Sequence, residues 1–193
     1  MPHVPIQRRR RSGLTDYHSR RRAIASQSAL LIVRISNKNV SSQFLRPKVQ
    51  GDEVVASAHS RELAKLGWKG SPKSTPACYL LGLVAGKKAM AKGVTDAALY
   101  MGVKPFVRGS RTAAFVKGVI DAGVRVPFGE EALPSADRLS GKAIAAYASK
   151  LAGEDKELYE RRFSALVKAG FRPEDYPASV EKMKAAIVKG AKT

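Results

Sequence analysis

The sequence predicts an α/β protein: a mixed sheet with packed helices, preceded by a basic extended N-terminal arm and followed by an all-helical C-terminal extension. Three observations predict this class. Two short β-branched stretches follow residue 28, strand and helix patterns then alternate up to residue 126, and strand patterns stop beyond that point. We therefore divide the chain into a basic arm (1–23), an α/β core (24–126) and a helical extension (127–193).

Local signals justify each element of the core. The first β-branched stretch ends at Asn37-Lys38-Asn39, which predicts a strand, a turn and a second strand. Ser60 and Thr75 are suited to cap helices, because short polar side chains bond the free amides of a first turn. The predicted strands are 29–36, 40–46, 53–58 and 97–101, and the predicted helices are 61–66, 76–92, 112–122, 135–151, 155–169 and 178–190.

Alternation along the first strand separates an apolar face from a partly polar one. Leu31, Val33 and Ile35 point to one side, and Arg34 points to the other. We expect Arg34 to form a basic cluster with Lys38 and Arg46 near the end of the hairpin.

Charge is distributed unevenly along the chain. The 193 residues include 35 Lys and Arg and 16 Asp and Glu, a net charge of +19. Residues 127–193 hold 12 basic and 10 acidic residues, which leaves a net charge of +17 for residues 1–126. A basic portion followed by a nearly neutral one is typical of a nucleic-acid-binding region with an appendage of different function.

The arm carries its charge in two arginine clusters, Arg8 to Arg11 and Arg20 to Arg22, with Asp16 between them. Its few apolar residues cannot bury a face, so the segment needs a partner in order to fold. The planar guanidinium fork suits phosphate and stacks on bases, which favours a nucleic acid over a solvated tail or a nuclear-import signal.

Other classes of site receive little support from the sequence. Cys78 is the only cysteine, so no disulfide within the chain is possible, and no metal or cofactor site is predicted. No apolar run approaches the length of a membrane span. The stretch from Gly82 to Lys88 resembles a phosphate-binding loop but lacks its Ser or Thr and lies within a predicted helix. We interpret its glycines as allowing close packing on the sheet, with Lys87 and Lys88 reaching toward a phosphate.

Three further places suit a contact with RNA, and two of them also suit a structural role. Arg108-Gly109-Ser110-Arg111 precedes a helix, where free amides and two guanidinium groups suit a phosphate. Trp68 suits either base stacking or a loop anchor packed on the core. His59 suits either an RNA contact or general base, or a hydrogen bond within the turn.

Several of these motifs together resemble one family. They are Ser57-Ala58-His59-Ser60-Arg61-Glu62-Leu63, Gly67-Trp68-Lys69-Gly70-Ser71, Thr75-Pro76-Ala77, Ala85-Gly86-Lys87-Lys88-Ala89 and Gly109-Ser110-Arg111. The chain resembles the large-subunit ribosomal protein eighteen family in its archaeal form, a relative of the eukaryotic large-subunit protein five. The likeness runs almost from end to end. It departs from the family pattern at Cys78, where Ala is usual, and at Lys142-Ala143, where an acidic residue and a histidine are usual.

This resemblance implies a structural protein of the cytoplasmic ribosome that is not an enzyme, binds 5S rRNA and helps to anchor it in the central protuberance. It implies contacts with large-subunit rRNA and with neighbouring proteins, including the universal large-subunit protein five. The alternatives are a non-ribosomal RNA- or DNA-binding regulator and, on the glycine-lysine stretch alone, an enzyme acting on phosphates. Motif and chemistry together assign RNA contacts to Arg8, Arg9, Arg10, Arg11, Tyr17, Arg20, Arg21, Arg22, Arg34, Ser36, Asn37, Lys38, Asn39, Arg46, His59, Trp68, Lys69, Ser71, Lys73, Arg108, Ser110 and Arg111.

The uneven charge also predicts a division of labour. Residues 1–126 are expected to bind the RNA nearly as well as the whole chain, while residues 127–193 govern docking into the subunit. The alternative is that the extension folds back and stabilises the core through apolar side chains such as Phe163 and Leu166.

Overall fold

A four-stranded mixed sheet lies at the centre of the computed structural model, which describes residues 5, 6 and 8–190. Its order is β3-β2-β1-β4, with β2 antiparallel to both of its neighbours and β4 parallel to β1. The predicted α/β class and all four predicted strands are confirmed. The strands are β1 Ala29–Ile35, β2 Val40–Arg46, β3 Glu53–His59 and β4 Ala97–Leu99.

Helices account for most of the remaining described chain. They are α1 Arg8–Arg11, α2 Tyr17–Ser26, α3 Ser60–Lys65, α4 Thr75–Ala91, α5 Arg111–Asp121, α6 Ala136–Ser140, α7 Lys142–Glu154, α8 Lys156–Lys168 and α9 Tyr176–Lys189. The single helix predicted over 135–151 is divided at Gly141, whose φ of 84° ends α6. In the described chain, none of these helices combines the length and apolar character needed to cross a bilayer.

The arm differs from the extended segment that its composition predicts. It contains α1 and α2, and the boundary we placed between residues 23 and 24 falls inside α2. The Asp16 carboxylate caps α2 by accepting hydrogen bonds from the His18 and Ser19 amides, at 3.0 and 3.2 Å. Charge alone does not predict this cap, because it shows Asp16 only as an acidic residue between two arginine clusters.

The two faces of the sheet are covered to different extents. Leu31 and Val33 face the main core, which α4 and α5 complete on that side. On the other face α2 covers only one end, where Ala23 packs against Leu30 and Leu45. We call the remainder of this second face the open face.

Helices α4 and α5 pack backbone against backbone. A Cβ on Gly82 would lie 2.2 Å from the Phe115 carbonyl oxygen, and a Cβ on Gly118 would lie 2.2 Å from that of Tyr79. The glycines of α4 therefore serve close packing as predicted, but against α5 rather than the sheet. Because Gly86 meets Ala122 one turn further along, the two helices run parallel and begin at the same end.

The C-terminal extension packs into the main core. Tyr176 contacts Trp68 and Phe171 with ring centroids 5.8 and 5.1 Å apart. At the far end of α9, the Lys87 ammonium donates hydrogen bonds to the Ile187 and Val188 carbonyl oxygens, at 2.7 and 3.1 Å. The extension is thus joined to the core near both ends of α9, to the loop before α4 at its start and to α4 at its end.

Candidate nucleic-acid interface

Polar side chains form a row across the open face. The strand register pairs Arg34 with Ser41, and Ser41 with His59. Residues opposite one another in a sheet point to the same side, so these three are neighbours. Gln43 and Ser57 form the next such pair along β2 and β3. This polar row, apart from Arg34 and His59, was missed in the sequence, although the run of polar residues from Ser41 to Gln43 within β2 carries a signal.

The hairpin turn beside this row is held by its own polar groups. The Ser36 hydroxyl donates to the Asn39 carbonyl oxygen (2.8 Å) and accepts from the Asn39 amide (2.9 Å). The buried Ser60 hydroxyl donates to the Asn39 side-chain oxygen (3.0 Å). Ser36 and Asn39 therefore shape the turn, and Arg34, Asn37 and Lys38 are its exposed polar groups.

His59 forms a hydrogen bond within the turn, one of the two roles that the sequence suits. This leaves one of its ring nitrogens for other contacts. Its Nδ1 accepts from the Arg61 amide (3.1 Å), and its own amide donates to Glu62 (3.2 Å), a capping box at the start of α3. His59 is thus the cap that we assigned to Ser60. In the neutral ring an acceptor at Nδ1 places the proton on Nε2, so His59 still offers one donor.

Trp68 is a loop anchor, which corrects its assignment to RNA. The residue is 5% exposed and its ring packs against Phe171 and Tyr176, so the ring faces are not available to a base. The Ser71 carbonyl accepts from Trp68 Nε1 (3.4 Å), and the Ser71 amide donates to the Tyr176 hydroxyl (2.9 Å). Lys69 and Lys73 are the exposed basic groups of this loop.

The loop before α5 keeps the geometry that its sequence predicts. Ser110 caps the helix by accepting from the Ala113 amide (3.4 Å), and Gly109 takes a φ of 62°. Arg108 lies 4.0 Å from Glu131 in a highly exposed pair, and Arg111 is exposed at the first helical position. Such a pair contributes at most about 1 kcal/mol and is readily exchanged for a phosphate.

These loops share one end of the sheet. The carboxyl ends of β1, β3 and β4 point the same way, because β2 is antiparallel to β1 and β3 and β4 is parallel to β1. Helix α4 runs back along β3, since Lys88 bonds the Ser57 carbonyl and Lys92 bonds that of Val55. The starts of α4 and α5 therefore lie beyond the carboxyl ends of the strands. We call this basic group the hairpin-end group: Arg34, Lys38, Lys69, Lys73, Arg108 and Arg111.

Helix α2 and Arg46 supply a second basic group at the opposite end, and α1 comes directly before α2 in the chain. Arg8 to Arg11, Arg21 and Arg22 are exposed, and Tyr17 lies among them on α1 and α2. No hydrogen bond or ion pair from a described residue holds the Arg21 or Arg22 guanidinium. We call Arg8 to Arg11, Arg21, Arg22 and Arg46 the arm-end group.

The structure gives Arg46 and Arg20 surroundings that differ from the predicted ones. In the strand register Arg46 lies opposite Glu53, at the far end of β2. At roughly 3.4 Å per residue, this position is about 20 Å from the hairpin turn. It therefore does not cluster with Arg34 and Lys38. Arg20 forms a bidentate ion pair with Asp52, one bond of which measures 2.8 Å. This carboxylate raises the pKa of Arg20 and ties α2 to the turn between β2 and β3, which gives Arg20 a structural role.

A phosphate-binding role for Lys87 and Lys88 is not supported, because both ammonium groups already bond other parts of the protein. Lys87 bonds the carbonyl oxygens at the end of α9, and Lys88 forms an ion pair with Glu62 (2.6 Å). Cys78 is fully buried, and this burial raises the pKa of its thiol to about 12, so it is not a nucleophile at neutral pH.

Comparison with known proteins points to the same class as the two basic groups. A family model for "Ribosomal large subunit proteins 60S L5, and 50S L18" matches residues 5–98. The chain is 46% identical over 185 residues to a large ribosomal subunit protein uL18 of Aeropyrum pernix, covering 95% of this chain and 86% of that one. It is 44% identical over 184 residues to that of Thermofilum pendens (95% and 93% covered) and 40% identical over 180 residues to that of Methanothermobacter thermautotrophicus (93% and 92%).

Proposed function

Because the chain belongs to the uL18 family of large ribosomal subunit proteins, we propose that it binds 5S rRNA along its open sheet face and helps to anchor that RNA in the central protuberance. Its role is structural rather than enzymatic. The proposed partners are 5S rRNA, large-subunit rRNA and neighbouring proteins, including the universal large-subunit protein five, in the cytoplasmic ribosome.

The observation that carries this proposal is the position of the two basic groups. The hairpin-end group lies at one end of the sheet, and Arg46 and α2, which carries Arg21 and Arg22, lie at the other end, about 20 Å away along β2. Helix α1, with Arg8 to Arg11, comes directly before α2 in the chain. Between the two ends the open face offers hydroxyl, amide and imidazole groups at Ser41, Gln43, Ser57 and His59. An RNA that spans the face has its phosphates bound at both ends and its sugars or bases next to uncharged donors and acceptors.

The arm strengthens such a complex by ordering on it. Arg8 to Arg11 form a four-residue helix with no buried residue, so little in the free protein holds that turn in place. Contact with phosphate compensates the lost conformational freedom through charge-assisted hydrogen bonds.

The decisive experiment is the recovery of RNA that copurifies with the chain. We expect 5S rRNA to be enriched over other small RNAs of comparable length, because the proposed surface recognises the shape of one folded RNA as well as its charge. A copurifying population without 5S rRNA, or a wide preference for duplex DNA, would overturn the proposal in favour of a free-standing regulator.

A salt titration tests the electrostatic part of the proposal. If about eight phosphates are contacted, log K should fall with log salt at a slope of roughly −6, since each contact contributes about −0.7 to −0.9. Affinity for 5S rRNA measured by filter binding over a range of potassium chloride gives this slope. A slope near zero would contradict the use of both basic groups.

A further inference from the structure

A groove of about 450 Å³ lies on the C-terminal extension, outside the surface described above. Ile144, Tyr147 and Phe163 of α7 and α8 provide its apolar lining, and Arg138 and Arg162 stand in the same lining. The volume falls within the roughly 300–1,000 Å³ typical of sites for single small ligands.

The aromatic ring in this groove is exposed yet held in position. The Tyr147 side chain is 46% exposed and meets the Phe163 ring at 6.3 Å with an interplanar angle of 62°. Phe163 in turn contacts Tyr159 (5.3 Å), whose hydroxyl donates to Glu174 (3.2 Å). A ring supported in this way provides a surface for a planar group at little cost in conformational entropy.

The two arginines lack counter-ions within the described chain. Two other cations of the extension, Lys142 and Lys150, form ion pairs with Asp137 (3.2 Å) and Glu154 (3.8 Å). No such acidic partner from the described residues holds Arg138 or Arg162. Unpaired guanidinium groups beside an exposed aromatic ring match a ligand that is both anionic and planar, which is the chemistry of a nucleotide.

The groove is also continuous with the hairpin-end group. An Arg138 guanidinium nitrogen lies 3.3 Å from the position of a Cβ on Gly109, between Arg108 and Ser110. Thr75, the first residue of α4, lines the groove as well. An RNA strand bound at Arg108 and Arg111 therefore reaches the groove within a short distance.

We propose that the groove takes one unpaired nucleotide of 5S rRNA, with its base on Tyr147 and its phosphates at Arg138 and Arg162. This inference rests on the proposed function, because the same RNA occupies the hairpin-end group. It assigns RNA recognition to the nearly neutral extension, where charge distribution alone predicts none.

Binding of 5S rRNA to the full chain tests the proposal through matched variants. We expect Tyr147→Ala to weaken binding about tenfold with an unchanged salt slope, and Tyr147→Phe to bind within about twofold of the original, because only the ring stacks. Arg162→Gln should weaken binding and make the salt slope less steep by roughly 0.7 to 0.9, because it removes one phosphate contact. Lys150→Ala, which removes an equal charge from α7 at a position outside the groove lining, should change neither quantity. Unchanged affinity of both Tyr147→Ala and Arg162→Gln would overturn the inference.

A photo-reactive phenylalanine analogue in place of Tyr147 identifies the occupant in purified large subunits. A crosslink to 5S rRNA supports the proposal even if Tyr147→Ala fails to fold. A crosslink to a protein or to another rRNA, or no crosslink, overturns it. Failure of the proposed function gives a different result: the original chain then does not bind 5S rRNA, and Arg108→Gln with Arg111→Gln has no effect.

Discussion

The N-terminal arm and the C-terminal extension are attached to the core by different means. The arm meets the sheet through a small apolar cluster at Ala23 and through the ion pair between Arg20 and Asp52. The extension inserts Tyr176 and Phe171 into the main core and receives hydrogen bonds from Lys87 at the end of α9. The arm holds seven arginines and one aspartate, whereas the extension has a net charge of +2.

Because of this difference, the arm should contribute mainly to RNA affinity and the extension mainly to folding stability. Loss of the arm removes charge that faces solvent and little buried apolar area, so it should affect RNA affinity far more than folding. Loss of the extension uncovers buried apolar area on α4, so it should affect folding first. The division of labour predicted from charge therefore needs revision, because the extension also completes the core.

The largest effect is expected from a chain that ends at Val126. It lacks the aromatic partners of Trp68, and we expect it to lose cooperative thermal unfolding. Because burial raises the pKa of Cys78 to about 12, the full chain should react slowly with iodoacetamide near neutral pH, whereas the shortened chain should react at least roughly tenfold faster. Unchanged melting and unchanged alkylation would instead make the extension an independent appendage that does not stabilise the core.

A point change in the same contact should have the next largest effect. Tyr176→Ala removes a buried ring and should lower the free energy of unfolding by about 3–5 kcal/mol. Tyr176→Phe keeps the ring, removes the hydroxyl that accepts from the Ser71 amide, and should cost about 1 kcal/mol. Urea denaturation gives both values, and Val188→Ala on the exposed side of α9 is the control. Equal losses for Tyr176→Ala and Val188→Ala would mean that this contact does not hold the extension.

The arm should show the opposite pattern. Arg21→Ala with Arg22→Ala should reduce 5S rRNA affinity and make the salt slope less steep by roughly 1.5, because two phosphate contacts are lost. The melting temperature should stay the same, since both side chains are exposed. Lys182→Ala with Lys189→Ala removes equal charge from α9 and is the control. A lower melting temperature with normal affinity would make the arm structural.

The smallest effect concerns Arg20, which belongs to the arm but bonds the core. Arg20 and Asp52 are 22% and 26% exposed and form one solvent-accessible bidentate pair, so their coupling should be about 1 kcal/mol. A double-mutant cycle with Arg20→Ala and Asp52→Ala, measured by urea denaturation, gives this coupling energy. A coupling of zero would leave the Ala23 cluster as the arm's attachment to the sheet.

Sequence patterns predicted the fold well where the signals are local. The hairpin around Asn37-Lys38-Asn39, the paired helices α4 and α5 and their small polar caps all depend on residues within a few positions of one another. Even the errors there are small: the cap of α4 is Ser74 rather than Thr75, and that of α3 is His59 rather than Ser60. The division at Gly141 was missed, although a glycine that takes a positive φ, here 84°, is a local signal for the end of a helix.

The residues of the candidate interface also divide into those that the sequence predicts and those that depend on tertiary contacts. The sequence by itself determined that the chain is basic up to residue 126, that arginines cluster in the arm, and that Arg34, Lys38, Arg108 and Arg111 stand at exposed turns. Only the tertiary structure decided which of the predicted groups remain available. It pairs Arg20 with Asp52, covers Trp68 with Tyr176, engages Lys87 with Ile187 and places Arg138 beside Gly109. The physical reason is that turn and cap energies depend on neighbours in the chain, whereas burial and ion pairing depend on residues brought together from 29 to 108 positions apart.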